Sequence, residues 1–241
     1  MSKKLLVLSP HTDDEVIACG GTIAKLIKDG WEAFVVHLTN SNQAFYSTET
    51  REERVGRSVK EAFLAGAVLG IPKSNILFEG LEDMYLTPGG DLIRVFIKHI
   101  RRVSPDVVFT TWRDDFHVDH RVCGIAIREA AYQARQAVCG DLGEKVKEPL
   151  VLLGEVDLEN RTNLTEPDYW FDIGDTIGTK VEALLKYDSL VNEHELFGHN
   201  YLKDWCYTHA KYRGQSVGID YAEVFKRGNL APAPLEKLLR D

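Results

Sequence analysis

The stretch Leu5-Leu-Val-Leu-Ser-Pro-His-Thr-Asp-Asp-Glu15 leads from an apolar run directly into a cluster of imidazole and carboxylate groups. Four consecutive apolar residues are typical of a short strand that is buried on both faces of a parallel sheet. From Val16 to Lys28 the apolar side chains are spaced as one helical stripe, which Gly30 ends. The stretch therefore predicts a strand, a polar turn and a crossover helix, which together begin a βαβ unit.

The same alternation continues along the chain. Further strands are predicted at residues 33–38, 75–78, 107–111, 150–156 and 169–173. Helical patterns are predicted at residues 51–69, 92–103, 121–137, 176–190 and 201–212. This rhythm predicts a single α/β domain with a Rossmann-like, mostly parallel sheet and helices on both faces. We expect the domain to span residues 1–228, and residues 229–241, which contain two prolines, to form a C-terminal tail.

The composition is that of a soluble globular protein. The chain has 241 residues, of which 44% are hydrophobic and 27% are charged, and its net charge is -8. An acidic balance argues against sequence-independent binding of nucleic acid, which needs a basic face. No apolar run approaches the roughly 20 residues of a membrane span, and four cysteines without a CxxC pair fit reduced thiols. We therefore expect a cytoplasmic protein that binds neither nucleic acid nor a membrane.

A second polar cluster, Asp115-Phe-His-Val-Asp-His120, follows the strand predicted at residues 107–111. If this strand and the first one lie in one parallel sheet, both clusters emerge at the same edge, where open α/β sheets bind their ligands. Two histidines and several carboxylates would then converge. Such groups are the ligands of a catalytic zinc site in which one position stays open.

Within the first cluster, the spacing separates two kinds of carboxylate. His11 and Asp14 are three positions apart, so both side chains can face one point. An imidazole and a carboxylate together suit Zn²⁺ or another divalent first-row ion. Asp13 then points elsewhere and is the candidate general base, although an acid at this position can equally serve to cap a helix. Glu15 is interpreted as a helix-start residue or as an acceptor behind the metal ligands.

Within the second cluster, two imidazoles lie one helical turn apart with an acid between them. We assign His120 as a metal ligand. His117 is the candidate general acid or the group that stabilises an oxyanion. Either Asp119 or Asp115 would hold the His117 ring and raise its basicity.

The two clusters resemble the paired motifs of the zinc-dependent de-N-acetylases of the LmbE-like, or PIG-L, family. The first motif of that family is His-Pro-Asp-Asp-Glu after an apolar strand, and here Thr12 replaces the proline. The second is His-x-Asp-His, which is present as residues 117–120. The resemblance covers most of residues 4–226, leaves about 138 to 170 unmatched, and implies cleavage of the N-acetyl amide of an amino sugar.

The resemblance also implies a division of roles among the site residues. His11, Asp14 and His120 would hold one zinc ion per chain. Asp13 would take a proton from the attacking water. His117, as imidazolium, would assist the oxyanion or the leaving amine, and Asp119 beside it is counted with the catalytic residues.

Substrate contacts are implied by weaker matches. An arginine often stands three residues before the glutamate that matches Glu61, but here that position is Ser58, with Arg57 one residue off and Arg54 one turn back. The predicted substrate-binding residues are Asp83, Arg54, Arg57, Asp115 and Arg213. The implied partner is a small N-acetylated sugar, and relatives suggest a homo-oligomer, a trimer or a hexamer, by analogy.

Three other functions compete with this interpretation. A metal-dependent phosphoester hydrolase would also place Asp and His clusters at a sheet edge, with two metals instead of one. A non-catalytic sugar-binding protein would keep the same fold. A nucleotide-binding oxidoreductase is disfavoured, since Gly20 and Gly21 do not form a GxGxxG fingerprint. We expect these glycines instead to allow close packing of a helix on the sheet.

Overall fold

The computed structural model describes residues 2–41, 49–156, 158, 166–194 and 200–229. Its strands are β1 (Lys4–Ser9), β2 (Glu32–Thr39), β3 (Ile76–Leu81), β4 (Val107–Thr111), β5 (Leu150–Gly154), β6 (Tyr169–Asp172) and β7 (Ala222–Arg227). Its helices are α1 (Asp14–Lys28), α2 (Arg51–Leu69), α3 (Gly90–Val103), α4 (Val118–Ala134), α5 (Ile177–Leu184), α6 (Asp188–His194) and α7 (Tyr201–Gln215). Among the described residues, no helix combines the length and the apolarity that crossing a bilayer requires.

The seven strands form one sheet in the order β3-β2-β1-β4-β5-β7-β6. The first five of these strands are parallel, and β1 lies between β2 and β4, with Leu5 opposite both Ala33 and Val107. Only β7 runs antiparallel to its neighbours β5 and β6. The predicted single α/β domain with a mostly parallel sheet is therefore confirmed.

Side chains that alternate along β1 enter two separate cores. Leu5 and Val7 pack on one face of the sheet with residues of α1, α2, α5 and α7, whereas Leu6 and Leu8 pack on the other face with residues of α3 and α4. All four side chains are at most 2% exposed. Burial on both faces explains why this strand is continuously apolar.

Most predicted helices differ from the structure by a few residues at one end, and two differ in more than that. The pattern at residues 176–190 forms two helices, α5 and α6, because the chain turns between them and buries Tyr187, which is 1% exposed. The helix expected at residues 121–137 begins at Val118, since the side chain of His117 caps it by accepting the backbone N–H of Asp119.

Helix α1 is interrupted at Cys19, whose φ of -147° is not helical. Beyond this kink the backbone N–H groups of Gly21 and Thr22 donate to the carboxylate of Glu223 on β7, at 2.9 and 2.7 Å. The ammonium of Lys180 donates to the carbonyl of Ile17 and to the same carboxylate, both at 2.7 Å. A Cβ on Gly21 would lie 2.8 Å from Ile173, so the close packing that we expected of these glycines is present here.

The predicted tail begins with a residue that is packed into the domain. Asn229 is 4% exposed. Its side chain accepts the backbone N–H of Val151 at 3.2 Å and donates to the carbonyl of Pro149 at 2.9 Å. Residues 230–241 lie outside the described residues, and the division at residue 228 stays a prediction.

Candidate active site

Both polar clusters lie at the carboxyl edge of the sheet, where β1 and β4 end side by side. The chain leaves β1 through α1 to β2 on one side, and leaves β4 through α4 to β5 on the other side. This divergence is the topological switch point, the place where open α/β sheets form a crevice for ligands. The sequence prediction that residues near 11–14 and 117–120 converge agrees with this geometry.

His11, Asp14 and His120 form a compact triangle of ligand atoms. His11 Nδ1 lies 3.1 Å from Asp14 Oδ2 and 3.2 Å from His120 Nε2. His120 Nε2 lies 3.3 Å from Asp14 Oδ1. Two ligands of a tetrahedral zinc ion with bonds of about 2.0–2.1 Å lie about 3.3 Å apart. The triangle therefore fits one such ion, both in its spacing and in the chemistry of its donors.

A wider set of three histidines overlaps this triangle. One ring nitrogen each of His11, His117 and His120 lies within 4.8 Å of the others. The rings of His117 and His120 have centroids 4.6 Å apart, and those of His11 and His117 are 4.7 Å apart. The triangle with Asp14 is tighter, and it adds the negative charge that a divalent cation favours.

Asp14 favours the protonated form of each histidine in the triangle, and each histidine favours the ionised form of Asp14. Burial lowers the pKa of His120, but the facing Asp14 and Asp115 outweigh it and raise that pKa to about 9. Burial also lowers the pKa of His11, but the nearby carboxylates, Asp14 first, outweigh it. The pKa of His11 is therefore well above its usual value. Burial raises the pKa of Asp14, but His120 and His11 outweigh it, so the net pKa lies well below the usual value. A cation that entered the triangle would replace these imidazole protons.

A carboxylate lies behind each of the two histidines of the triangle. Asp119 Oδ2 is 3.2 Å from His11 Nε2 and also accepts the backbone N–H of Met84 at 2.7 Å. Asp115 Oδ2 is 3.3 Å from His120 Nδ1. Such carboxylates fix the orientation of a metal-binding ring. From the sequence, we expected Asp119 or Asp115 to orient the ring of His117 instead. That expectation could not take account of the register of α4 or of the contact with Met84, because neither can be read from the sequence.

His117 is held through the backbone. Its Nδ1 accepts the N–H of Asp119 at 3.2 Å, and its own N–H donates to Asp115 Oδ1 at 2.8 Å. An acceptor Nδ1 leaves the ring proton on Nε2. Burial, followed by the facing His11 and His120, lowers the pKa of His117 to about 4. These surroundings favour a neutral ring that donates from Nε2, whereas the sequence interpretation used the imidazolium.

Asp13 is the residue before α1, yet its side chain makes no capping hydrogen bond. Burial, followed by the charge of Asp14, raises its pKa to about 7. The facing His11 and His120 oppose that shift. A carboxylate that is not used to stabilise the helix and that titrates near neutral pH suits a general base.

Behind the triangle lies a buried polar layer, in which Glu15 was expected as an acceptor but His37 and Tyr187 were missed. Glu15, which is 2% exposed, accepts the hydroxyl of Tyr187 at 2.6 Å. The ring of His37 meets the carbonyl of His11 at 3.1 Å through Nδ1, and burial lowers the pKa of His37 to about 4. His37 could have been noticed as a polar residue at the end of the apolar strand β2. Tyr187 gave no such signal, because it lies far from Glu15 in the sequence.

Two of the predicted substrate-binding residues lie beside the cluster. Asp83, which is 5% exposed, immediately precedes Met84, whose backbone holds Asp119. Asp115 is 1% exposed and divides its two oxygens between the backbone of His117 and the ring of His120. Both oxygens of Asp115 therefore face residues of the cluster, and its contact with substrate stays a prediction.

The three predicted substrate arginines differ in their surroundings. Arg54 is 7% exposed on α2, whereas Arg57 pairs with Glu49 at 2.7 Å and is 30% exposed at its side chain. Arg213 is 6% exposed, and its Nε donates to Glu155 at 2.8 Å. The buried pair with Glu155 gives Arg213 a structural task, and the substrate contacts of all three arginines stay predictions.

Comparisons with known proteins are consistent with this site. The model of the family described as PIG-L, GlcNAc-PI de-N-acetylase, matches residues 6–131. Diacetylchitobiose deacetylase of Thermococcus kodakarensis is 28% identical over 233 residues, which cover 92% of this chain and 81% of the relative. The structure of N,N'-diacetylchitobiose deacetylase from Pyrococcus horikoshii aligns with a TM-score of 0.79 at 26% identity, covering 94% of this chain and 85% of that one.

A second solved structure shows that the fold also occurs in a protein named for a different reaction. GalB, the 4-carboxy-2-hydroxymuconate hydratase of Pseudomonas putida KT2440, aligns with a TM-score of 0.81 at 23% identity and covers 96% of this chain and 98% of its own. At that identity the likeness concerns the fold alone. The reaction must therefore be argued from the side chains at the sheet edge.

Proposed function

Because the chain belongs to the PIG-L family, we propose that it is a metal-dependent hydrolase that removes the acetyl group from the N-acetyl amide of an amino sugar or its glycoside. The observation that carries this proposal is the triangle of His11, Asp14 and His120, with ligand atoms 3.1–3.3 Å apart. The description of the family and the names of the two deacetylase relatives support the same reaction class.

His11, Asp14 and His120 are the residues that would hold the metal, and Zn²⁺ is the ion that we propose. Their two nitrogens and one carboxylate match the ligand set of catalytic zinc sites with one open position. When bound, the ion supplies a Lewis acid that polarises a carbonyl oxygen and acidifies a water molecule. In this proposal Asp119, 3.2 Å from His11 Nε2, and Asp115, 3.3 Å from His120 Nδ1, draw the ring protons to the nitrogens that face away from the ion.

Asp13 moves the proton in the proposed reaction. Its carboxylate takes a proton from the attacking water as the water oxygen adds to the acetamide carbonyl carbon. The carbon–nitrogen bond then breaks, and Asp13 returns the proton to the departing amine, so that acetate and a free amino sugar form. A pKa near 7 suits a group that must both accept and return a proton.

His117 stabilises the oxyanion in this proposal. Because its Nδ1 accepts the backbone N–H of Asp119, the ring can donate only from Nε2. A donor fixed in this way needs no reorganisation when negative charge develops on the carbonyl oxygen, and one such donor typically contributes roughly 3–4 kcal/mol to transition-state stabilisation. Asp83 and Arg54 are the groups that we propose to hold sugar hydroxyls.

Acetate release from sugars tests this function directly. The protein is stripped with a chelator, reloaded with one equivalent of Zn²⁺, Co²⁺ or Mn²⁺, and incubated with N-acetylglucosamine or N,N'-diacetylchitobiose. We expect acetate to appear in step with metal, up to one ion per chain. Release that ignores the chelator, or a requirement for two ions per chain, would contradict the one-metal site.

Asp13→Asn is the matched variant for that assay. It should bind the metal as well as the wild-type chain does, while kcat falls by roughly 10²–10⁴-fold, the usual contribution of a general base. Near-normal kcat in this variant would remove Asp13 from the mechanism.

A further inference from the structure

Two loops at the carboxyl edge of the sheet carry exposed apolar side chains next to the site. Among the described residues, ten large apolar side chains are exposed, and three of them lie in these loops: Met84 at 56%, Tyr85 at 72% and Phe116 at 50%. Tyr85 is the most exposed of the ten. The concentration of such side chains around a catalytic cluster is typical of a ligand-binding surface.

Both loops are tied to the site itself. The backbone N–H of Met84 donates to Asp119 Oδ2 at 2.7 Å, and the same oxygen lies 3.2 Å from His11 Nε2. Tyr85 is the residue after Met84. The ring of Phe116 meets the ring of His117 edge-on, with centroids 6.3 Å apart. Tyr85 and Phe116 therefore stand on two different loops that converge on the proposed oxyanion donor and its neighbours.

The exposure of these side chains does not come from a loosely held backbone. Arg121 donates to the carbonyl of Asp115 at 3.0 Å and to the carbonyl of Phe116. Met84 has a φ of +66°, which costs a residue with a side chain on the order of 1 kcal/mol. The backbone of these loops is fixed by hydrogen bonds and strained at Met84, yet their large apolar side chains are exposed to water. This combination beside a catalytic cluster favours a ligand-binding surface.

We propose that Tyr85 and Phe116 form an aromatic rim that binds the sugar ring linked to the N-acetylated one. This inference rests on the proposed function and deepens it, because it makes the preferred substrate a disaccharide or a longer saccharide. The C–H face of a pyranose ring carries slight positive charge and packs on the negative face of an aromatic ring, while its hydroxyls stay in water. A single N-acetylated sugar in the site would leave the rim unused.

Selectivity between two sugars tests the rim. Acetate release is measured with N,N'-diacetylchitobiose and with N-acetylglucosamine for wild type, Tyr85→Ala and Phe116→Ala. For each variant we expect kcat/KM for the disaccharide to fall by about 3- to 10-fold, through KM, because uniform binding is lost. The value for the monosaccharide should not change. Equal losses for both sugars, or no loss for either, would overturn the rim.

Two further variants separate stacking from other effects. Tyr85→Phe keeps the ring and should keep the selectivity, whereas loss of selectivity in it would assign the effect to the hydroxyl and overturn the stacking. Tyr132→Ala is the control, because Tyr132 is 48% exposed on α4 and lies fourteen residues, about 21 Å of helix, beyond Val118. It should behave as wild type.

A binding measurement distinguishes the failure of the rim from the failure of the proposed function. Saturation-transfer NMR with the Asp13→Asn chain reports on contact with each sugar ring without turnover. One outcome is that wild type releases no acetate while Tyr85→Ala, made in the Asp13→Asn chain, weakens disaccharide binding. That result would support the rim and contradict the deacetylase proposal. If neither sugar binds, or if the second ring receives no saturation, the rim is wrong whatever the activity.

Discussion

Charged groups are buried both at the start and at the kink of helix α1, but the two places differ in how these groups find hydrogen-bond partners. At the kink, the Glu223 carboxylate faces four donors: the Lys180 ammonium, the Thr22 hydroxyl and two backbone N–H groups, all within 2.9 Å. At the start, the nitrogens of His11 and His120 face each other at 3.2 Å and share one acid, Asp14.

The cluster at the kink is complete within the chain, whereas the cluster at the start is arranged to accept a ligand. Two imidazole nitrogens that point at the same place cannot both donate to each other, so this arrangement needs a proton or a cation between them. The kink needs nothing from outside the chain. We therefore expect variants at the start of α1 to affect metal and activity, and variants at the kink to affect folding stability.

The largest expected effect is on activity, in His120→Ala. Removing one corner of the triangle should abolish metal binding at one ion per chain and reduce acetate release by roughly a thousandfold or more, since both the Lewis acid and its position are lost. Metal content by mass spectrometry under native conditions and acetate release are the measurements.

His209→Ala is the control for that variant. His209 lies 3.1 Å from Glu155, in the Arg213 cluster, so its loss should leave the metal content unchanged. Equal metal loss in both variants would show that the loss in His120→Ala is not specific to the triangle.

The next effect is on stability, in Lys180→Met. Lys180 is 3% exposed, and its removal leaves the Glu223 carboxylate buried with an uncompensated charge. The free energy of unfolding should fall by about 3–5 kcal/mol, as measured by urea denaturation, while the folded protein still binds one metal ion. Lys25→Met, on α1, breaks an ion pair with Asp175 that is partly exposed and should cost no more than about 1 kcal/mol.

A smaller effect is expected from the pH dependence of stability in the metal-free protein. The folded pKa of His37 is about 4, below its usual 6.5. The unfolded chain therefore takes up the proton first, and the stabilisation is complete above pH 6.5 and is lost as the pH falls towards 4. A shift of this size corresponds to about 3 kcal/mol. In His37→Phe, the fall in unfolding free energy between pH 7 and pH 4 should be smaller by about that amount, and equal slopes would refute the assignment.

The smallest expected effect is on metal affinity, in Asp119→Asn. The variant keeps the shape of the side chain but removes the charge that orients His11. Loss of such a carboxylate typically weakens metal binding by about 10- to 100-fold, which a competition titration with a chromophoric chelator measures. Unchanged affinity would mean that the contact at 3.2 Å does not orient the ring.

The sequence was sufficient for the parts of the molecule that local patterns determine. The apolar run Leu5–Leu8 and the pattern at 107–111 predicted parallel strands of one sheet, and the structure places the two strands side by side. Because parallel strands of one sheet end at the same edge, the two polar clusters could be expected there. The roles of the individual residues stay predictions.

The contacts that the sequence could not give are those between side chains and distant backbone groups. The N–H of Met84 on Asp119 and the hydroxyl of Tyr187 on Glu15 join segments that no local pattern relates. The partner of Arg213 is likewise distant: Glu155 follows β5, and their pairing depends on how α7 packs over that edge. Such contacts are set by tertiary packing, which pattern reasoning does not reach.

Anomalous X-ray diffraction from crystals grown with one equivalent of Zn²⁺ would show whether His11, Asp14 and His120 hold one metal ion. We expect one strong peak, about 2 Å from His11 Nδ1, His120 Nε2 and an oxygen of Asp14. A peak held by the three histidines without Asp14, or a second metal beside the first, would contradict it.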